Sequence, residues 1–142
     1  MRITKRIAVA KPIDVVFAYL SDFTTTTEWD PGTVRTVRKS GDGGVGSEYL
    51  NTSTFLGRET RLTYVVEDLI PNQRIRLRGS NSTVVATDTM TFTRLPGGSQ
   101  VTYSADFVFM GPTRIVAPLL SPAFTRLGNR AAEGMRAALD RL

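Results

Sequence analysis

Apolar residues recur along the chain with two different spacings. A spacing of two residues covers most of the chain, and a spacing of three to four residues covers the rest. Across residues 33–109, apolar and polar side chains tend to alternate, which is typical of strands that bury one face. The clearest apolar face consists of Val84, Ala86, Asp88, Met90 and Phe92. Residues 2–10 show the same alternation, and turn sequences rich in Gly, Pro and Asn separate the segments. We therefore predict seven strands, near residues 2–10, 34–39, 46–54, 61–67, 75–77, 84–93 and 101–109.

The second period, with apolar residues three and four positions apart, predicts helices. Its longest stretch is residues 122–142, after Ser121 and Pro122, which we expect to cap and to begin a helix. The apolar stripe of that helix consists of Phe124, Leu127, Ala131, Met135, Ala138 and Leu142. A short amphipathic helix should begin at Pro12, and Asp22 should cap a weaker helical turn over residues 24–28.

The order of these elements predicts an α+β fold: one strand, two short helices, six antiparallel strands and one long helix. A sheet that is apolar on one face must have that face covered. The C-terminal helix, roughly 30 Å long at the standard rise, can cover it. We expect residues 1–142 to form a single domain.

Composition restricts the chemistry that this domain can perform. The 142 residues include no cysteine and no histidine. Disulfides, thiolate nucleophiles, Ser-His pairs and the usual zinc ligands are therefore excluded. No Asp/Glu pair has metal-ligand spacing with supporting ligands, so we expect no metal ion and no other cofactor.

Charge and hydropathy bear on partners and location. The net charge is +5, but basic residues are spread along the chain, and Arg74, Arg76 and Arg78 alternate with apolar residues as on an outward strand face. No binding motif accompanies the charge, which argues against a nucleic-acid partner. There is no run of eighteen apolar residues and no secretory signal, so we expect a cytoplasmic protein without membrane insertion.

Four stretches together resemble the START-like (SRPBCC) superfamily of helix-grip proteins. They are residues 12–22 (PIDVVFAYLSD), 28–32 (EWDPG), 44–46 (GVG) and the closing amphipathic helix. The resemblance covers essentially the whole chain and is nearest to the polyketide cyclase/dehydrase and lipid-transport branch, which is found widely in bacteria. It implies a curved seven-stranded antiparallel sheet that grips the C-terminal helix, with a cavity between them that opens at the loop end.

Several residues are candidates for the wall of such a cavity. Aromatic side chains combine apolar area with, in tyrosine, a hydroxyl that can orient a ligand. The aromatic candidates are Tyr49, Phe55, Tyr64, Tyr103, Phe107 and Phe124. Trp29 resembles a tryptophan that family members carry near the cavity mouth. Packing in the core is the alternative for each of these residues.

Asp88 is the only acid in the apolar phase of its strand. It should lie beneath the helix or in the cavity, where an unpaired carboxylate is costly. We expect a raised pKa or a partner, with Arg58 as one candidate. The alternative is a β-bulge that turns Asp88 outward.

The predicted function is binding of a small hydrophobic or amphipathic ligand, lipid-like or polyketide-like. A polyketide cyclase, aromatase or dehydratase is the alternative; Asp88 and tyrosines would move protons, and an arginine would polarise a carbonyl. A third class is a toxin-like or ribosome-associated protein that acts through its surface. Monomer and homodimer both remain open.

Overall fold

The structure, a computed structural model, describes residues 1–142 and confirms the α+β fold. The strands are β1 (Arg2–Val9), β2 (Thr33–Ser40), β3 (Glu48–Phe55), β4 (Arg58–Ile70), β5 (Arg74–Ser80), β6 (Val84–Leu95) and β7 (Gly98–Phe109). The helices are α1 (Ile13–Ser21), α2 (Thr26–Trp29), α3 (Thr113–Val116) and α4 (Ser121–Asp140). Short 3₁₀ turns at Phe23–Thr25 and Ala117–Leu120 lead into α2 and α4. None of these helices combines the length and the apolar character that crossing a bilayer requires.

All seven strands form one antiparallel sheet in the order β1-β7-β6-β5-β4-β3-β2. The strands from β2 to β7 are hairpin neighbours, whereas β1 pairs with β7 across almost the whole chain length. Register shifts interrupt the pairing of β2 with β3 and of β4 with β5. Such irregularities increase the local bend and twist of a sheet. The inner faces of the strands together present a mostly apolar surface to α1 and α4.

Two glycines allow α4 to lie close to the rest of the fold. A Cβ atom at Gly134 would collide with the carbonyl oxygen of Trp29 at the end of α2. A Cβ atom at Gly128 would come within 2.5 Å of the Ile3 side chain on β1. Both positions must be side-chain-free for α4 to occupy its place across β1 and α2.

The C-terminal half of α4 and helix α1 cover a cluster of fully buried apolar side chains; we call this region the filled end. It contains α1, whose Phe17 ring meets Phe92 of β6 edge-on, with 5.0 Å between ring centroids. The C-terminal half of α4 adds its own buried side chains to the same cluster. The residues that define the filled end are Ile7, Val16, Leu20, Ile75, Leu77, Met90, Val101, Met135 and Leu139, all fully buried.

The structure corrects two details of the predicted C-terminal helix. Ser121 makes no capping hydrogen bond and is already the first helical residue, because the 3₁₀ turn before it runs directly into α4. Leu142 is exposed because α4 ends at Asp140, and Leu139 is the buried residue of the last turn. The predicted cap at Asp22 is confirmed, since its carboxylate accepts a hydrogen bond from the Thr24 backbone N–H at 3.1 Å.

Candidate functional site

A cavity of about 260 Å³ lies between the sheet and the N-terminal half of α4. Residues of β1, β3, β4, β6, β7, α2, α3 and α4 contribute to its lining, and 17 of the 28 lining residues are hydrophobic. Small residues face it from both sides, with Ala105 on β7 and Gly128 and Ala131 on α4. The cavity exists because these side chains are short. At the filled end, bulkier side chains occupy the corresponding space between sheet and helix.

An aromatic cluster forms the wall of the cavity at the start of α4. Phe124 of α4 stacks on Phe55 of β3 with ring centroids 4.6 Å apart. It also contacts Phe107 and Phe109 of β7, at 5.1 and 5.6 Å. These four rings give this part of the cavity an apolar surface that suits rings or chains of carbon.

The cavity opens to solvent where its lining residues are exposed. These residues are Thr54 on β3, Thr83 just before β6 and Val116 on α3. Beside them, Ile115 and Leu119 have relative exposures of 78% and 79%, and Leu56 at the β3–β4 turn reaches 63%. Exposed apolar side chains therefore surround the route by which a hydrophobic molecule would enter.

Asp88 faces the cavity from β6. It pairs in unbroken register with Leu77 of β5 and Ala105 of β7, so no bulge turns it outward. Its relative exposure is 6%, and the Tyr103 hydroxyl donates a hydrogen bond to its Oδ2 at 3.3 Å. Arg58, the partner considered from the sequence, is exposed at the start of β4 and makes no ion pair with Asp88. Tyrosine therefore takes the place of the arginine.

Burial and a second carboxylate control the protonation of Asp88. Burial raises the pKa of Asp88 to about 7, the negative charge of Asp30 contributes to the rise, and the hydrogen bond from Tyr103 opposes both. Burial also raises the pKa of Asp30, against hydrogen bonds from the Gly32 N–H and the Thr33 hydroxyl. At neutral pH, Asp88 can therefore gain or lose a proton with little free-energy cost.

Tyr64 on β4 brings a third polar group to the same region. Its ring lies over Gly79 of β5, where a Cβ atom would be 2.6 Å from the ring, and it packs against Phe23 at 4.9 Å. Burial, followed by the charges of Asp88 and Asp30, raises the pKa of Tyr64 well above 10, so the hydroxyl keeps its proton. That hydroxyl makes no hydrogen bond within the protein, although every fully enclosed side-chain polar atom has a partner. The Tyr64 hydroxyl is therefore directed at the open space of the cavity.

Comparison with known proteins assigns the chain to a family. The sequence matches no curated protein. Residues 1–142 match the family described as polyketide cyclase / dehydrase and lipid transport. The chain belongs to this family.

Solved structures of the same fold support that assignment at low sequence identity. The Zhui aromatase/cyclase from Streptomyces sp. R1128 has a TM-score of 0.85 and 18% identity, over 99% of this chain and 94% of its own. A START superfamily protein from Mycobacterium smegmatis has a TM-score of 0.74 and 16% identity, over 98% and 94%. The protein TTHA0849 from Thermus thermophilus has a TM-score of 0.78 and 13% identity, over 97% and 99%. At identities this low, the similarity shows a shared helix-grip fold. The ligand of this polyketide cyclase / dehydrase family member must be inferred from its own side chains.

Of the eight side chains that the sequence suggested for ligand contact, the structure brings seven into the lining of one cavity. They are Trp29, Phe55, Tyr64, Asp88, Tyr103, Phe107 and Phe124. Tyr49 lies outside this lining, in the core, where its ring meets Phe23 edge-on at 5.7 Å. Trp29 is buried, and its ring meets that of Tyr103 edge-on. Contact of the seven with a ligand stays a prediction.

Asp30 and Asn51 are two of the polar residues in the lining that sequence reasoning missed. The sequence marks Asp30 only as part of a turn, yet the turn directs its carboxylate inward, where it accepts hydrogen bonds from residues 32 and 33. Asn51 on β3 is buried; its amide donates to the Thr36 hydroxyl at 2.8 Å and accepts from the Ser53 hydroxyl at 2.6 Å. Asn51 interrupts the apolar phase of its strand, as Asp88 does, and this was the available signal.

No arginine lines the cavity, so the arginine expected to polarise a carbonyl is absent from the site. The structure also contains no group of three or more Asp or Glu side chains close enough to hold a metal ion. The chemistry available from the side chains of the cavity is that of carboxylic acids, phenols, alcohols and amides. These groups can orient a ligand and can move a proton.

Proposed function

We propose that this protein binds a small hydrophobic or amphipathic molecule between the sheet and the N-terminal half of α4. The observation that carries the proposal is the cavity of about 260 Å³, which lies beside a core of fully buried side chains. Ligand sites are typically concave and mostly apolar, with a few polar groups that fix orientation. The aromatic cluster around Phe124 and the polar group of Asp88, Tyr64 and Tyr103 fit this description.

The apolar and the polar residues of the lining should contribute to binding in different ways. Transfer of apolar ligand surface into the cavity contributes about 0.8 kcal/mol per buried CH₂ group. A polar group that leaves water must find a hydrogen-bond partner, and the polar group around Asp88 offers free ones. A bound molecule should thus place its carbon skeleton near Phe124 and its polar end near Asp88.

Filling the cavity tests this proposal. Isothermal titration calorimetry with 2-naphthylmethanol, a neutral ligand with an apolar body, should give saturable binding to the wild-type protein. Ala105→Trp places an indole in the cavity and should abolish binding, because Ala105 is a small lining residue. Val108→Trp is the matched control, since Val108 lies on the exposed face of the same strand.

Equal binding to wild type, Ala105→Trp and Val108→Trp would show that the probe binds elsewhere and would contradict the proposal. Native mass spectrometry of the freshly purified protein adds an independent measurement. A mass increment that is present in wild type and absent in Ala105→Trp would identify a resident ligand.

A cyclase or dehydratase is the second candidate function, favoured by the protonation of Asp88. A carboxyl group with a pKa of about 7 beside two tyrosines can donate or accept a proton at neutral pH. The structural similarity to the Zhui aromatase/cyclase is compatible with such a reaction. Turnover of a poly-β-ketone chain that is lost in Asp88→Asn, with binding retained, would support an enzyme; binding without turnover would favour a carrier.

A further inference from the structure

The cavity differs in charge from the protein that surrounds it. The chain has 18 Lys and Arg residues against 13 Asp and Glu, a net charge of +5. None of those basic residues lines the cavity, whereas two acids, Asp30 and Asp88, do. The charged side chains of the lining are thus all acidic in a basic protein.

Some polar atoms of the lining already have a hydrogen-bond partner within the protein, and others have none. Each oxygen of Asp30 already accepts a hydrogen bond, and the Asn51 amide is bonded at both its nitrogen and its oxygen. In contrast, Oδ1 of Asp88 has no partner, and the Tyr64 hydroxyl makes no hydrogen bond at all. Both side chains belong to residues with a relative exposure of only 6%. Two free oxygen atoms therefore face the same cavity, one from β6 and one from β4, with β5 between the two strands.

We propose that the ligand is an apolar amine, whose protonated nitrogen donates hydrogen bonds to Asp88 Oδ1 and to the Tyr64 hydroxyl oxygen. This inference rests on the proposed function and names the ligand's chemical class. A buried carboxylate is stabilised by a paired cation, and the protein supplies none. An ammonium group supplies the missing charge, and it has enough N–H donors for both oxygens.

Other polar ends fit the cavity less well. A carboxylate or phosphate would add a further negative charge beside Asp88 and Asp30, where no cation offsets it. An alcohol could share a hydrogen bond with Asp88 but would leave the charge of the ionised carboxylate uncompensated. The ring of Tyr103 beside Asp88, and that of Trp29 against it, add aromatic surface of the kind that attracts cations.

The affinity for an amine should depend on pH through the ionisation of Asp88. The titratable groups that face Asp88 are Asp30 from the loop after α2, Tyr64 from β4 and Tyr103 from β7; α4 contributes no charged residue to the lining. The two tyrosines stay protonated because their pKa values are raised well above 10. Amine affinity should therefore increase between pH 6 and pH 8 as Asp88 ionises, since an alkylamine stays protonated in that range.

Three probes with the same aromatic body test the inference at pH 8. We would measure the Kd of 2-naphthylmethylamine, 2-naphthylmethanol and 2-naphthoate by isothermal titration calorimetry. The amine should bind at least tenfold more tightly than the alcohol, and the carboxylate should bind most weakly. Asp88→Asn should reduce the preference for amine over alcohol to less than threefold while alcohol binding persists. Asp106→Asn, on the outer face of β7 where Asp106 pairs with Arg2, is the control and should keep the preference.

The outcomes separate this inference from the proposed function. If the alcohol or the carboxylate binds as tightly as the amine, and Ala105→Trp still blocks binding, the cavity is a binding site but the amine inference is wrong. If the amine preference survives in Asp88→Asn, Asp88 does not select the ligand and the inference is also wrong. If none of the three probes binds, both the amine inference and the proposed function fail.

Discussion

The two halves of α4 cover the same face of one sheet but leave different interiors. Beneath the C-terminal half, Met135 and Leu139 are fully buried in contact with the core cluster. Beneath the N-terminal half, Gly128 and Ala131 face Ala105 across a cavity. The strands alternate in the same way under both halves. The size of the side chains, and not the strand pattern, therefore decides which part of the sheet is core and which part is a site.

We expect this difference to separate the residues that stabilise the fold from those that bind a ligand. Dispersion and hydrophobic contacts are concentrated at the filled end, where the side chains are fully buried. The end that contains the cavity, which we call the open end, forgoes part of that packing and keeps polar atoms free. Substitutions at the two ends should consequently have different effects, and the predictions below use that contrast.

Removal of the C-terminal half of α4 should have the largest effect. Deletion of residues 132–142 takes Met135, Ala138 and Leu139 from the core and uncovers the filled end. We expect loss of cooperative unfolding in thermal denaturation followed by circular dichroism. Deletion of residues 141–142 alone, beyond the end of α4, is the control and should leave a sharp transition. A sharp transition in the longer deletion would contradict the assignment of the core.

Shortening a side chain at each end of α4 should give unequal losses. Met135→Ala creates a new void in a packed region and should lower the free energy of unfolding by about 2–5 kcal/mol. Leu127 is only partly buried, so Leu127→Ala removes less buried apolar area and should cost less, about 1–2 kcal/mol. Urea denaturation of both variants measures the two changes. Equal losses would mean that the two ends are packed alike.

Enlarging an alanine should show the same contrast. Ala86 is fully buried within the core cluster and does not line the cavity, whereas Ala105 does line it. Ala86→Trp should therefore cost on the order of 1–3 kcal/mol or more through overpacking. Ala105→Trp should be less destabilising in the same urea experiment, since free volume receives the indole. If both variants are strongly destabilised, the cavity is not available in solution.

Asp88, at the open end, should make the free energy of unfolding depend on pH. We expect this effect to be at most comparable to that of Met135→Ala. Its folded pKa of about 7 lies above the unfolded value near 3.9, so folding favours the protonated form. Its contribution to stability is complete below about pH 4 and is lost as pH rises through 7. Between pH 5 and pH 8, wild type should lose about 2–3 kcal/mol more than Asp88→Asn. Parallel pH profiles of the two proteins would show that Asp88 is not perturbed.

Sequence patterns were sufficient for the fold because they report which face of each element is buried. The period of two and the period of three to four specified the seven strands and the long helix. They also placed Asp88 on the inner face, where unbroken register keeps it. The resemblance then supplied the curved sheet gripping α4, and residues 1–142 match the corresponding family.

The same patterns could not locate the cavity or all of its lining. Tyr49 and Tyr64 lie opposite each other on β3 and β4, yet only Tyr64 reaches the lining. Tyr64 owes its position to Gly79 on the next strand, a three-dimensional contact that spacing does not show. Asp30 faces inward because of the local geometry of its turn, where alternation does not apply.

The central claim is that the open end of the molecule is a binding site and the filled end is not. Titration of ¹⁵N-labelled protein with 2-naphthylmethanol, followed by amide chemical shifts, tests it most directly. We expect saturable shifts at Ala105, Gly128 and Ala131, and little change at Ile75 and Leu77 of the filled end. Shifts confined to outer-face residues such as Asp106 and Val108, or an absence of shifts at the three lining residues, would contradict the claim.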